Sequence, residues 1–384
     1  MSKKKKIFVI FGTRPEAIKM APLVMEMKKE DLFDVKLILT AQHREMLDQV
    51  MNLFKIKADY DLNIMTHSQS LYDITTKVLN GISGILKKEK PDLVLVHGDT
   101  TTTFAASLAA FYEKIPVGHV ESGLRSFDKH NPFPEEINRL LTDVVADLYF
   151  APTDLSKKNL IKENRNHENI FITGNTVIDA LLYVAKREHK AKILDNIKLN
   201  EKFILATVHR RENWGKPLEN ICRAFNRITK ENDIKIILPA HPNPNVKNTV
   251  QNILGNNDKI YLTQPFDYID FVSILKECYL VLTDSGGLQE EGPALGKPVL
   301  VMRKTTERPE AIKAGTACLV GAEPDFIAQK VGILLENKSE YNKMANAVNP
   351  YGDGKASIRS AQAIKYWMGI CDEAVTEYGL QAKN

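Results

Sequence analysis

Short apolar runs alternate with helical stretches from one end of this chain to the other, and that alternation leaves few folds open. In the first half the runs 7–11, 35–39, 93–96, 117–120 and 147–150 read as strands. In the second half 203–206, 235–238, 260–262, 280–282, 299–301 and 318–320 do the same. Helical patterns lie between them, the clearest at 43–54 and 70–88. Strands apolar on both faces and separated by helices predict parallel sheets covered on both sides.

At 384 residues the chain exceeds the size at which one core stops growing, so two domains are expected. The pattern loosens into a charged stretch between 176 and 200, which reads as the linker. The boundaries are then 1–180 for a first Rossmann-like domain and 201–356 for a second. A last helical pattern, about 357–377, is long enough to pack back on the first. The expected class is α/β, two Rossmann-like parallel-sheet domains facing a central cleft. No sequence repeat relates the halves.

Composition excludes several function classes. Lys and Arg number 52 against 48 Asp and Glu, and a formal charge of +4 gives no case for nucleic acid. The basic run Lys3–Lys6 reads as a solvated tail. No apolar run approaches the roughly 20 residues of a membrane span, and the N-terminus is too short in apolar residues for a secretory signal. Cys222, Cys278, Cys318 and Cys371 are far apart, without zinc spacing, which suits free thiols in a reducing, cytoplasmic setting.

Chemistry-bearing residues concentrate just past strand ends, where open α/β sheets bind ligands. His209-Arg210-Arg211-Glu212-Asn213 follows one strand and reads as half of an anion site. Asp284-Ser285-Gly286-Gly287 follows another and opens a helix, where backbone N–H groups can approach a phosphate; a plain tight turn is the alternative. Glu290 and Glu291 suit a helix first turn, or one of them a ribose hydroxyl. Asp99 and Glu121 end neighbouring βα units and Glu135 begins the next helix, a carboxylate set suited to acid–base work. Helix capping by Asp99 and Glu135 remains open. Arg14 and Lys19 follow the first strand and suit a phosphate clamp better than a surface pair. His43, His97, His119 and His241 also fall at strand ends or loops, and spacing does not separate the structural ones. Trp214 and Trp367 read as packing residues. There is no G-x-G-x-x-G after the first strand, no P-loop and no metal-ligand spacing, so the reading needs neither cofactor nor metal.

These motifs, taken in order, resemble one family. They are 11–20 (FGTRPEAIKM), 97–103 (HGDTTTT), 119–125 (HVESGLR), 134–136 (PEE), 209–213 (HRREN), 284–287 (DSGG) and 306–310 (TERPE). The set is similar to the non-hydrolysing UDP-N-acetylglucosamine 2-epimerases and runs from residue 7 to about 357. The resemblance implies a GT-B fold and reversible conversion of UDP-GlcNAc to UDP-ManNAc. The implied route is anti elimination of UDP to 2-acetamidoglucal and re-addition, without a cofactor. It implies catalytic roles for Asp99, Glu121, Glu135 and His209. It further implies phosphate contacts from Arg14, Lys19, Ser285, Gly286 and Gly287, a ribose contact from Glu291, a uracil contact from Phe271 and a polar contact from Arg308.

The family's second, allosteric UDP-GlcNAc site is matched by Gln42, His43, Gln69, Glu136, Arg210 and His241. Glu45 and Ser68 stand where Gln and Arg are expected. Ser122 and Gly292 replace usual alanines, and Phe266 stands where some members carry a polar residue. The implied partners are UDP-GlcNAc, UDP-ManNAc, UDP and a second copy of the chain, in synthesis of cell-envelope polysaccharide. Three other readings share these features. They are a 2-epimerase of a related deoxy or uronate UDP-2-acetamido sugar, a GT-B glycosyltransferase, and a nucleotide-sugar-binding regulator, against which the intact carboxylate set argues.

Overall fold

The computed structural model describes residues 4–40, 44–64 and 69–379, with the side chains of 44–46 excepted. The chain divides into two compact units, 1–180 with 351–384, and 181–350.

In chain order the first unit contains β1 (Lys5–Phe11), α1 (Arg14–Met27), β2 (Phe33–Leu39), α2 (Arg44–Phe54), β3 (Tyr60–Asp61), α3 (Leu71–Glu89), β4 (Leu93–His97), α4 (Thr101–Tyr112), β5 (Val117–Val120), α5 (Glu135–Val145), β6 (Leu148–Ala151), α6 (Asp154–Lys162) and β7 (Ile170–Ile172). The helix α7 (Thr176–Ala185) runs across the unit boundary. All pairings are parallel, in the order β3-β2-β1-β4-β5-β6-β7. Ile7–Phe11 and Leu93–Val96 are wholly buried, as strands covered on both faces must be.

The second unit contains β8 (Phe203–Thr207), α8 (Lys216–Glu231), β9 (Lys235–Pro239), α9 (Pro244–Leu254), β10 (Ile260–Thr263), α10 (Tyr268–Glu277), β11 (Leu280–Thr283), α11 (Leu288–Ala294), β12 (Val299–Val301), α12 (Pro309–Ala314), β13 (Ala317–Leu319), α13 (Pro324–Glu336) and α14 (Lys338–Ala345). Its sheet is again parallel, in the order β10-β9-β8-β11-β12-β13. Both sheets are doubly wound, so the α/β class of two Rossmann-like domains holds. Each sheet has a switch point, between β1 and β4 and between β8 and β11, where the crossovers leave in opposite directions.

Helix starts follow local chemistry. Thr13 and Glu16 form a capping box at α1, and Ser70 and Asp73 form one at α3. Thr100, Thr153, Asn243 and Asp267 each accept a first-turn N–H. The helix α15 (Ala356–Trp367) belongs to the first unit, where Asp179 accepts the N–H groups of Ala356 and Ser357 at its start and Lys365 pairs with Glu30 at 2.8 Å near its end. It packs on α1. It is shorter than its sequence pattern predicts. Gly369 at φ +64° follows Trp367, and residues 371–377 run on without helix.

Helix α5 is amphipathic in the reverse of the usual sense. Its polar residues Glu136, Asn138, Arg139, Thr142 and Asp143 are buried. Its apolar residues Ile137, Leu141 and Val144 stand 36%, 39% and 54% exposed. A helix normally turns its apolar stripe inward; here the interior beside it is α4, with its buried Thr102, Thr103 and Ser107, and the polar loops at the ends of β4 and β5.

Candidate active site

In the first unit the candidate residues collect at the carboxyl ends of β1, β4 and β5. Glu121 directly follows β5 and sits at φ +66°, a conformation that costs a non-glycine residue energy and recurs at functional sites. Its carboxylate pairs with Lys19 Nζ and accepts from Asn175 Nδ2 at 2.7 Å. His97 Nε2 lies 3.7 Å from the same oxygen. Neither ring nitrogen of His97 has a hydrogen-bond partner among the described residues, and burial pushes its pKa down to about 3, so the ring is neutral.

Asp99 follows the β4 turn. Its carboxylate takes Arg139 Nη2 at 2.5 Å, and its carbonyl oxygen accepts from Asn138 Nδ2 at 2.9 Å. Glu135 opens α5, and its Oε2 is buried with no hydrogen-bond partner among the described residues. Arg14 begins α1, and its guanidinium makes no hydrogen bond or ion pair among the described residues.

Glu16 ties two of these loops together. It is fully buried and accepts the N–H groups of Gly12 and Thr13 and the hydroxyls of Thr13, Thr100 and Thr103. Burial raises its pKa against those hydrogen bonds. Behind the carboxylates lies a buried network. His119 Nδ1 is 2.6 Å from Asp143 Oδ1 and its Nε2 is 2.7 Å from the Gly98 carbonyl oxygen. Arg125 joins Asp143 at 2.7 Å and Glu163 at 2.6 Å.

In the second unit the candidates surround the β8–β11 switch point. Asp284 is fully buried and accepts the N–H groups of His209 and Arg210 and Asn213 Nδ2, at 2.9–3.1 Å. Burial would raise its pKa, but these donors and the His209 ring outweigh it and hold the carboxyl below its ordinary value. Asp284 therefore organises the loop, and of the residues after it Ser285 is partly exposed and Gly287 exposed. Gln289 N–H bonds to the Gly286 carbonyl, and Glu290 and Glu291 N–H groups to that of Gly287. Those bonds do not take up the N–H groups of Gly286, which is buried beside Glu307 and Arg210, or of Gly287, which is exposed. Ser285 N–H is turned back to Thr283 Oγ1 at 2.8 Å, so its contribution to a ligand rests on its hydroxyl.

Arg210 pairs with Glu307 at 2.6 Å, and Glu307 also takes Arg303 at 2.5 Å. Burial opposes ionisation of Glu307, yet Arg210, Arg303 and Arg308 hold its pKa at about 2. Arg308 pairs with Glu290, so Glu290 is committed within the unit. Glu291 lies on α11, and Phe271 on α10 is half-buried.

The residues assigned to a second site fall in different places. His241 stacks on His209, ring centroids 6.0 Å apart and planes at 22°. Arg210 lies beside the glycine turn, where a Cβ on Gly286 would stand 3.3 Å from its Nη2. Glu136 is buried in the first unit and accepts the N–H groups of Ser126 and Phe127, at 3.0 Å each. Gln69 donates to the Ile64 carbonyl at 2.6 Å. Gln42, His43 and Ser68 lie outside the described residues.

Sequence reading did not single out Asn175, Arg139, Asp143 or Glu307. Arg139 is recoverable as the i+4 neighbour of Glu135 on one helix face. Asn175 is not, because it reaches Glu121 from 54 residues away after a three-residue strand.

Residues 25–365 match the family model described as UDP-N-acetylglucosamine 2-epimerase. The UDP-N-acetylglucosamine 2-epimerase of Salmonella typhimurium is 53% identical over 369 residues, covering 94% of this chain and 98% of that one. The UDP-GlcNAc 2-epimerase of Neisseria meningitidis, solved bound to UDP-GlcNAc, superposes with a TM-score of 0.88 at 49% identity, covering 94% and 99% of the two chains. That of Methanocaldococcus jannaschii, in complex with UDP-GlcNAc and UDP, gives 0.79 at 37% identity, covering 94% and 99%. The motifs at the strand ends, the two doubly wound sheets of GT-B type and this likeness over nearly the whole length agree: the chain belongs to the UDP-N-acetylglucosamine 2-epimerase family.

Proposed function

We propose that the chain interconverts UDP-GlcNAc and UDP-ManNAc by anti elimination and re-addition of UDP. One carboxylate takes the proton from sugar C2 as the C1–O bond breaks. The electron pair of the C–H bond forms the C1=C2 double bond, and that of C1–O leaves on the β-phosphate of UDP. The 2-acetamidoglucal is then protonated at C2 from the opposite face while UDP re-adds at C1. Inversion needs proton-handling groups on both faces, and the observation that carries the reading is that Asp99 and Glu121 follow the ends of β4 and β5 while Glu135 opens α5, the helix whose Asn138 and Arg139 hold Asp99. Developing charge on departing UDP calls for cations and aimed N–H groups. In this reading Arg14, Lys19, His209, Ser285, Gly286 and Gly287 answer that need. Glu291 takes the ribose, Phe271 the uracil, and Arg308 a further polar contact. Lys19 also pairs with Glu121, so it links phosphate binding to the carboxylate set. The relatives solved with UDP-GlcNAc or UDP support UDP-GlcNAc and UDP as the ligands.

The test is incubation with UDP-GlcNAc in D2O, without added nucleotide cofactor or metal, followed by NMR of the sugar. UDP-ManNAc carrying deuterium at C2 is expected. Product without deuterium overturns the elimination route, and absence of product overturns the substrate.

Three further assignments accompany this reading. A second UDP-GlcNAc site formed by Gln42, His43, Gln69, Glu136, Arg210 and His241 makes the enzyme self-activating, with Glu136 acting through the 126–127 loop that it holds. Sigmoidal kinetics test this. The chain is a homodimer, a reading supported by the exposed apolar face of α5 with Phe111 and Tyr112 beside it; light scattering of wild type and Val144→Asp tests it. It works in the cytoplasm, on the support of its four free cysteines, two of them buried.

A further inference from the structure

His119 lies wholly inside the first unit, and the epimerisation chemistry does not use it. Its surroundings fix its protonation state. Nε2 faces the carbonyl oxygen of Gly98 at 2.7 Å and Nδ1 faces a carboxylate oxygen of Asp143 at 2.6 Å. Neither of those oxygens carries a hydrogen. A neutral imidazole has one donor and one acceptor nitrogen, whereas the imidazolium has two donors. Only the imidazolium satisfies both contacts while Asp143 is ionised.

Charge balance gives the same result independently. The network holds two carboxylates, the fully buried Asp143 and the partly exposed Glu163, and one guanidinium, Arg125, which bridges them. With a neutral His119 it carries a net negative charge shared with a fully buried carboxylate, which is unfavourable. With the ring protonated it is neutral. The other Asp143 oxygen accepts from Arg125 Nη2 at 2.7 Å and from the Gly123 N–H at 3.3 Å, donors that favour the carboxylate, so Asp143 is the ionised partner. The remaining titratable neighbours are the neutral His97 on β4, Glu121 two residues along the chain, and Tyr149 on β6, whose hydroxyl donates to the Asp143 carbonyl oxygen and whose pKa burial raises to about 12.

We propose that His119 is a permanently protonated imidazolium, a positioning residue that pins the Gly98–Asp99 peptide and sets a fixed positive charge behind Asp99 and Glu121. Gly98 turns the chain at φ +68° and its N–H bonds back to the Val120 carbonyl. The His119 bond to the Gly98 carbonyl fixes the following peptide, so the residue is held on both sides. Asn138 and Arg139 of α5 then hold Asp99 itself, and Asp143 on the same helix holds His119. One buried helix face therefore carries both Asp99 and the cation behind it.

The test uses full-length protein with 15N-labelled histidine. One of the nine imidazoles is expected to stay doubly protonated from about pH 6 to about pH 9, well past the ordinary histidine range. His119→Gln removes that signal. Asp143→Asn supplies an amide donor to Nδ1, so the same ring becomes neutral with its hydrogen on Nε2 and still holds Gly98. In that variant kcat is expected to fall about tenfold with KM unchanged, and the acid limb of its pH profile to move up, because carboxylates without the nearby cation lose their protons less readily.

A neutral or ordinarily titrating His119 in the wild-type protein overturns the charge assignment, and that result needs no variant to fold. An unchanged kcat and pH profile in Asp143→Asn overturns the link to the reaction. The kinetic arm rests on the proposed epimerisation and the spectroscopic arm does not. Loss of the reaction in wild-type protein with the imidazolium intact therefore marks failure of the functional reading alone.

Discussion

Asp284 Oδ1 lies 3.1 Å from His209 Nδ1, and the same carboxylate also takes the His209 backbone N–H. One buried acid thus sets both the chain position and the ring orientation of the histidine. Asp284→Asn keeps the shape but turns an amide donor toward backbone N–H groups. A loss of about 1–3 kcal/mol in stability is expected from the mismatched buried polar groups. A fall of about tenfold to a hundredfold in kcat accompanies it. Thermal unfolding and steady-state kinetics check both, and wild-type turnover would remove Asp284 from any role in orienting His209.

Asp99→Asn and Glu121→Gln each remove a proton-handling group without removing its volume. Turnover is expected to fall by about 10²–10⁴. UDP affinity, measured by calorimetry, stays close to wild type, because neither residue is assigned to the nucleotide. Near-normal turnover in either variant would exclude that carboxylate from the reaction.

Glu307 carries a pH signature in the second unit. Its folded pKa of about 2 lies below the ordinary 4.5. A depressed carboxylate contributes stability above its unfolded pKa and loses it as pH falls toward the folded value. The window is therefore about pH 4.5 down to about pH 2. The difference between the two values is worth about 3 kcal/mol. Glu307→Gln should cost about that much at neutral pH and flatten acid unfolding across the window, measured by denaturant titration at several pH values. An unchanged acid profile would mean that the Arg210–Glu307–Arg303 cluster adds no net stability.

The cysteines should react unequally. Burial pushes the thiols of Cys222 and Cys278 up to about 12, so neither forms thiolate at neutral pH. Brief alkylation of the native protein should label only the partly exposed Cys318 and Cys371. Peptide mass spectrometry reads the sites, and early labelling of Cys222 would contradict its burial.

Gly123 sits at φ +81° with no room for a side chain. A Cβ there would stand 2.3 Å from the Ser156 carbonyl oxygen, which is backbone and cannot swing away. Gly123→Ala combines left-handed strain with a backbone clash and should cost about 2–4 kcal/mol. A melting temperature within error of wild type would refute the contact.

Much of this was legible in the residues. Both parallel sheets follow from apolar runs such as Ile7–Phe11 and Val299–Val301, because a strand buried on both faces cannot alternate. The strands β3 and β7 escaped notice, having two and three residues and too little pattern to rise above their surroundings. The predicted end of the last helix overshot, since polar residues past Gly369 still fit a helical period that the backbone does not continue.

The sequence by itself determined the class of fold, the family and the positions of the chemistry-bearing residues, because strand ends, glycine turns and ordered motifs are local and leave local traces. Tertiary structure alone decided which of those residues touch. Asn175 on Glu121, Arg139 on Asp99, Asp284 beneath His209 and His119 between Gly98 and Asp143 join residues 21 to 75 positions apart. Their pairing depends on strand order and helix rotation, which no local pattern encodes. The reversed burial of α5 shows the reason most directly. Its period reveals two faces, but only α4 and the polar loops packed against it decide which face turns inward.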